Sequence, residues 1–224
     1  MKAGVQATAS SVLGLVAFGL VLFWPAGTFD YWQAWVFIAV FVAVTIVPTI
    51  YLARTNPATL RRRMHAGPRA ETRVAQKIIV TGTMVDCFAM MAASAFDYRM
   101  GWSIVPGWVS LLGDVLVAAG LGFAMLVVIQ NSYAASTVTV ETGQHVVSGG
   151  VYKFVRHPMY AGSVIMMVGI PLALGSYWGL LFVIPGVVLL VFRILDEEKM
   201  LAQELTGYRE YARRVRYRLV PFVW

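Results

Sequence analysis

The sequence predicts an all-α, polytopic integral-membrane bundle of about six transmembrane helices, and three observations carry that prediction. Of the 224 residues, 59% are hydrophobic and only 13% are charged, against about 25% charged in soluble domains. The apolar residues come in blocks, several long enough at 1.5 Å per residue to cross roughly 30 Å of hydrocarbon. The charges fall mainly between those blocks. The net charge of +7 is therefore a loop property, not the uniformly basic surface that suggests nucleic acid.

Taken in order, Val5–Trp24 is the first block. Lys2 precedes it as the charged start of a signal peptide would. No A-x-A-like site follows, and Pro25-Ala26-Gly27 leads straight to another span, so the block reads as a retained helix. Trp24, Tyr31, Trp32 and Trp35 bracket a short loop and mark one membrane face. Trp32–Leu52 is the second span, with Pro48 near its end. The basic run Arg54–Lys77 follows, with Pro57–Met64 expected as a surface helix capped by Asn56. Its cations read chiefly as a topology signal with lipid-headgroup contact, and substrate binding is the other use.

Ile78–Phe96 is the third span and carries Asp86 at mid-depth, a functional candidate by its position or a hydrogen-bonded structural acid. Cys87, beside it, is a packing residue. Val109–Asn131 is the fourth span, where Asp114 is expected to reach the interface. Asn131–Gly150 is irregular, with weak alternation over Ser136–Val140. Met159–Gly175 and Tyr177–Phe192 are the fifth and sixth spans. Both are short and interrupted, by Gly169-Ile170-Pro171 and Pro185-Gly186, as helices that flank a pocket tolerate. The chain reads as one domain over 1–224. Residues 1–131 supply four spans, and 132–224 supply a C-terminal helical hairpin with its pocket.

Of the 18 Lys and Arg residues, all but Arg99 fall on one face of a six-span arrangement. The positive-inside rule makes that face cytoplasmic, with both termini and the pocket on it. Five spans would split the two basic clusters if the odd crossing lay between them.

The stretch that organises the chain is GGVYKFVRHPMYAG, Gly149–Gly162. Two glycines permit a turn. Pro158 reads as the first residue of a buried helix, with Arg156 and His157 at its mouth and Tyr160 and Gly162 in the same turn. Free N–H groups and the helix dipole there favour an anion. A bland alternative is a cationic anchor at a membrane helix end. A second cluster, Arg193-Ile-Leu-Asp-Glu197-Glu198, leaves the membrane one hairpin later on the same side. Arg193 and Glu197, four apart, share a helix face, whereas Glu198 turns toward solvent.

RHPxYxG, Arg-xxx-Glu-Glu roughly 35 residues on, and the tail GYREYARRVRYRLVPFVW together resemble the isoprenylcysteine carboxyl methyltransferase family. More broadly they resemble the membrane methyltransferases that include phospholipid N-methyltransferases. The close resemblance covers about Thr137–Pro221. It implies an S-adenosyl-L-methionine-dependent enzyme of the bacterial inner membrane that methylates a lipophilic acceptor arriving from the bilayer. The acceptor it implies is a carboxylate, of isoprenylcysteine type; N-methylation of a phospholipid or another lipid is the alternative. The implied cofactor-binding set is Gln144, His145, Val146, Val147, Tyr152, His157, Pro158, Met159, Tyr160 and Glu197, with Glu198 counted beside them. Arg193 and Arg156 are the catalytic candidates: the resemblance places Arg193 beside the methyl-accepting carboxylate, and Arg156 stands at the pocket mouth. Thr137 falls where family members place a polar contact, often glutamine. No Cys/His spacing suggests a metal, and no nucleic acid is expected.

Two other classes compete. One is a membrane reductase, because sterol reductases share a related C-terminal fold and take a nicotinamide cofactor (NADPH) at the corresponding place. The other is a non-enzymatic membrane protein whose basic loops only set topology.

Overall fold

The protein, seen in a computed structural model, is all-helical and described at residues 14, 16–64, 66–134, 137–140 and 143–224. The start of the first apolar block, Lys2, His65 and Ser136 lie outside the described residues. Among the described residues eight α-helices follow one another: α1 (Val16–Ala26), α2 (Trp32–Thr55), α3 (Pro57–Met64), α4 (Val74–Met100), α5 (Gly107–Gln130), α6 (Pro158–Ala173), α7 (Val183–Glu204) and α8 (Tyr208–Arg214). Short 3₁₀ turns at Gly150–Lys153 and Trp178–Phe182 lead into α6 and α7.

Among the described residues four segments are long and apolar enough to cross a membrane: Trp32–Thr55, Val74–Met100, Gly107–Gln130 and Trp178–Glu204. The protein is thus a polytopic membrane protein. At 16 residues α6 is about 24 Å long, short of a full crossing by length alone. The connections nevertheless sort to two ends. At one end the Tyr31 hydroxyl donates to the Leu174 carbonyl, Tyr98 donates to the Asp30 carbonyl, and Ser176 donates to buried Asp97. This binds the α1–α2, α4–α5 and α6–α7 connections together. Of the expected aromatic belt, Trp24, Trp32 and Trp35 are exposed at this end, whereas Tyr31 turns inward and is buried; Trp102, Trp108 and Trp178 are exposed there as well. The other end gathers α3, the start of α4, the end of α5, the start of α6 and the polar end of α7. The basic clusters and the pocket stand there.

The prolines act mostly as punctuation. Pro57 opens α3 and the Asn56 side chain accepts the Thr59 N–H, as expected of its cap. Pro158 is N1 of α6. Pro185 lies in the first turn of α7, so the expected interruption of the sixth span is a 3₁₀-to-α junction rather than a mid-helix break. Pro171 and Pro48 are carried inside α6 and α2 without ending them.

What brings α6 to its place is a backbone-to-backbone seam with α5. A methyl group on Gly120 would lie 2.5 Å from the Gly162 carbonyl oxygen, and one on Gly162 would lie 2.6 Å from the Gly120 oxygen. Gly169 meets the Gly113 oxygen at 2.8 Å in the same sense. The two helices run antiparallel with small residues facing each other, the arrangement that lets membrane helices approach closely. This also explains the gap beside Tyr160 that the sequence shows at Gly162.

Of the two acids expected within the third and fourth spans, one differs from expectation. Asp114, expected near the interface, is buried, and both its carboxylate oxygens lack a hydrogen-bond partner among the described residues. Its place on the inner face of α5 with Ser110, Gly113 and Val117 takes it away from the interface. Asp86 faces inward at Gly186, where a methyl would sit 2.8 Å from its Oδ2.

Candidate active site

The basic end holds an open-mouthed cavity. Five stretches of chain build it. The end of α5 and the loop beyond give Asn131, Tyr133, Ala134 and Thr137–Thr139. The next segment gives Gln144, His145, Val146 and Val147. The 3₁₀ turn gives Tyr152. The mouth of α6 gives Arg156, His157, Pro158, Met159 and Tyr160. The end of α7 and α8 give Arg193, Glu197, Met200, Leu201, Leu205, Tyr208 and Tyr211. Every residue the sequence grouped here lines the cavity except Glu198.

The local chain explains the wall. Gly150 has φ +56° and a Cβ there would run into the Gln130 side chain, so glycine is required. Gln130 instead accepts the Val151 N–H through its Oε1. The turn then presents Tyr152, whose hydroxyl accepts a hydrogen bond from Asn131 and whose carbonyl accepts one from the Tyr211 hydroxyl. Burial pushes the phenols of Tyr152, Tyr208 and Tyr211 up, so all three remain protonated donors at neutral pH. Tyr208 is buried, yet its hydroxyl has no partner among the described residues. A buried polar group normally has one.

At the mouth of α6, His157 is the N-cap residue and stacks on Tyr160 with ring centroids 5.6 Å apart. Its carbonyl takes the Tyr160 and Ala161 N–H groups, so the helix opening is less bare than its sequence suggests. The chain's tail holds this mouth from behind. The Arg156 and His157 N–H groups donate to the Tyr217 and Arg218 carbonyls, and Trp224 closes the tail under the Arg218 guanidinium.

Glu198 does not face solvent. It lies behind the pocket wall, 3.0 Å from Arg156 Nε, 3.2 Å from His157 Nε2 and 2.9 Å from Arg218 Nε. Three cationic or protonatable groups from two other segments converge on one carboxylate, and that convergence draws it off the exposed side of α7. Arg156 is thereby committed to Glu198 while it lines the cavity.

Glu197 faces the cavity as the helix period requires. Tyr160 donates to its Oε2 at 2.6 Å and accepts from Arg193 Nε at 3.0 Å. The tyrosine hydroxyl thus stands between the two residues. Arg193 Nη1 also reaches Glu71 Oε1 at 3.2 Å and Gln76 Oε1 at 3.1 Å. Sequence reading missed these two. Gln76 further donates to Asp196, which pairs with Arg73 at 2.8 Å. The available signal was one acid inside a run of seven cations. Arg62 and Arg63 of α3 also reach inward, to the Ser132 and Ala134 carbonyls and the Tyr133 ring. That part of the basic run builds the pocket wall as well as marking topology.

Comparison with known proteins falls on this region. A family model described as phospholipid methyltransferase matches residues 108–207. A Delta(14)-sterol reductase of Mus musculus is 33% identical over 91 residues, covering 39% of this chain and 22% of the reductase. The chain therefore spans only about a fifth of that curated relative's length. Similarity to membrane methyltransferases covers nearly all of α5 with α6 and α7, and stops one residue before Tyr208.

Proposed function

We propose that the protein is an S-adenosylmethionine-dependent methyltransferase acting on a lipophilic acceptor, with its pocket and both termini on the cytoplasmic face of a bacterial inner membrane and α1 and α6 completing six crossings. The observation that carries this reading is the Tyr208 hydroxyl, buried and without a hydrogen-bond partner among the described residues, on the wall of a cavity most of whose lining comes from the methyltransferase-like segment. Such an atom calls for a ligand's polar group. The other wall groups suit this cofactor. The Glu197 carboxylate suits an ammonium or ribose hydroxyls, the tyrosine faces suit a sulfonium, and the mouth of α6 beside Arg156 suits a carboxylate. Gln144–Val147, Tyr152 and His157–Tyr160 complete the wall around it.

S-adenosylmethionine supplies an already activated methyl group, so the protein's share is in-line positioning and exclusion of water. Tyr160, fixed between Arg193 and Glu197, orients the carboxylate. Glu198 fixes Arg156 and His157, and with them the first turn of α6. The reductase similarity leaves a nicotinamide cofactor as the competing ligand of the same pocket.

Two acceptor classes remain, each with its own observation. The motif resemblance favours O-methylation of an isoprenylcysteine-like carboxylate held by Arg193. The geometry of Arg193 favours an amine, as in a phospholipid headgroup. Its guanidinium is already engaged by Glu71, Gln76 and Tyr160, and a carboxylate acceptor would have to share it. We take the amine as the better supported. An amine must shed a proton, and a carboxylate on the wall can accept it. Full-length protein is assayed with labelled S-adenosylmethionine on phosphatidylethanolamine vesicles and on N-acetyl-S-farnesylcysteine. R193K is measured in parallel, since lysine cannot reproduce the paired donors. The amine reading expects methylated phospholipid, and in R193K a cofactor affinity that falls in step with the rate. Methylation of the farnesylcysteine alone, with R193K cofactor affinity intact, supports the carboxylate instead.

A further inference from the structure

Glu71 lies in the basic run before α4, yet its side chain is only 1% exposed. A buried carboxylate is costly unless both oxygens are satisfied, and both are. Oε2 accepts the backbone N–H of Val138 at 3.1 Å, and Oε1 accepts Arg193 Nη1 at 3.2 Å. The Val138 bond fixes the carboxylate, so Glu71 cannot follow Arg193 if the arginine moves.

Arg193 and Glu197 are one turn apart on α7, the spacing at which an arginine and a glutamate pair directly. Glu71 and Gln76 instead draw the Nη1 side of the guanidinium away, toward α4. What Arg193 offers toward Glu197 is its Nε, by way of the Tyr160 hydroxyl. That hydroxyl has one proton. Accepting from Arg193, it directs the proton to Glu197.

We propose that Glu71 is a positioning residue for the pocket: by holding Arg193 off Glu197 it keeps the Glu197 carboxylate turned to the cavity and open to a ligand's cationic group. This rests on the reading of Glu197 as a cofactor contact. Without the Glu71 charge, Arg193 swings down its own helix and pairs with Glu197, and the arginine then competes with the ligand's ammonium. The basic run thereby contributes to ligand affinity through one acid that never touches the ligand.

The test is S-adenosylhomocysteine affinity by calorimetry on the full chain in detergent, for wild type, E71Q, E71D, R193Q and E71Q/R193Q, with melting temperatures alongside. E71Q is expected to weaken binding about tenfold. In the R193Q background the same change is expected to alter affinity less than twofold, because the competing cation is gone. E71D keeps the charge but loses the reach to one of its two partners, and is expected to lie between wild type and E71Q. Wild-type affinity in E71Q overturns the inference, as does an equal loss with and without Arg193. So does failure of both Glu71 variants to fold while R193Q folds, since Glu71 is then structural. A wild-type chain that binds no S-adenosylhomocysteine overturns the cofactor reading itself, a different result from a binding wild type with an indifferent Glu71.

Discussion

Glu197 and Glu198 are adjacent carboxylates with opposite expected roles, and exchanging each for glutamine separates them. Glu198 sits among Arg156, His157 and Arg218, its side chain 12% exposed, those of Arg156 and His157 9% and 4%, and that of Arg218 30%. Removing one partner of a buried ion pair costs about 3–5 kcal/mol. Solvent reaches Arg218 and glutamine keeps one acceptor oxygen, so about 2–3 kcal/mol is the expected loss for E198Q. For a chain of this length that is a fall in melting temperature of about 5–10 °C. Glu197 makes one hydrogen bond to Tyr160 on the cavity wall, and glutamine retains an oxygen to accept it. E197Q should therefore melt close to wild type. It should lose a charge-assisted contact to the ligand, roughly 1.5–3 kcal/mol, or about ten- to a hundredfold in S-adenosylhomocysteine affinity. Thermal unfolding followed by circular dichroism in detergent, with calorimetry on the same preparations, reads both quantities. An E198Q that melts like wild type, or an E197Q that is unstable but binds normally, would refute the assignment of the two faces of α7.

Other expectations follow from contacts that a single substitution alters. G120A places a methyl 2.5 Å from the Gly162 oxygen and 2.9 Å from the Met166 nitrogen, so α5 and α6 must part by on the order of 1 Å to restore contact distance. Melting temperature and S-adenosylhomocysteine affinity should fall together, whereas G122A, with open space around it, should leave both unchanged. Y208F removes a hydroxyl that has no protein partner among the described residues. The ligand-free protein should melt at or above the wild-type temperature, while affinity drops about two- to tenfold; unchanged affinity would detach that hydroxyl from the ligand.

The sequence made the cavity legible wherever chemistry and helix period sufficed. Pro158 marked the start of α6, the four-residue spacing put Arg193 and Glu197 on one face, and Gln144–Val147 and Tyr152 entered by resemblance. All of them line one cavity. What it did not reveal depends on contacts between distant segments. Glu198 looks exposed by period alone, and only the return of the tail and of the Arg156–His157 mouth buries it. Glu71 and Gln76 lie in a run whose cations signal topology, and nothing local shows that α4 starts beside the end of α7. Gly169 read as a break in an apolar run and Gly162 as a gap beside Tyr160, while Gly113 and Gly120 drew no reading at all. Their role emerges once two backbones are seen in contact, because the partner of a missing side chain cannot be read from its own helix. Asp114 was misplaced for a related reason: its position near a helix start pointed outward, while the face it shares with Val117 points in.

The central claim is that the cavity at the mouth of α6 takes S-adenosylmethionine rather than a nicotinamide. Calorimetry of the full chain in detergent against S-adenosylhomocysteine and against NADPH tests it most directly, with H157A and Y160A as site controls. The account predicts saturable one-to-one binding of S-adenosylhomocysteine, lost in both variants, and no heat of binding from NADPH. Binding of NADPH with no response to S-adenosylhomocysteine, or S-adenosylhomocysteine binding that survives both substitutions, would contradict it.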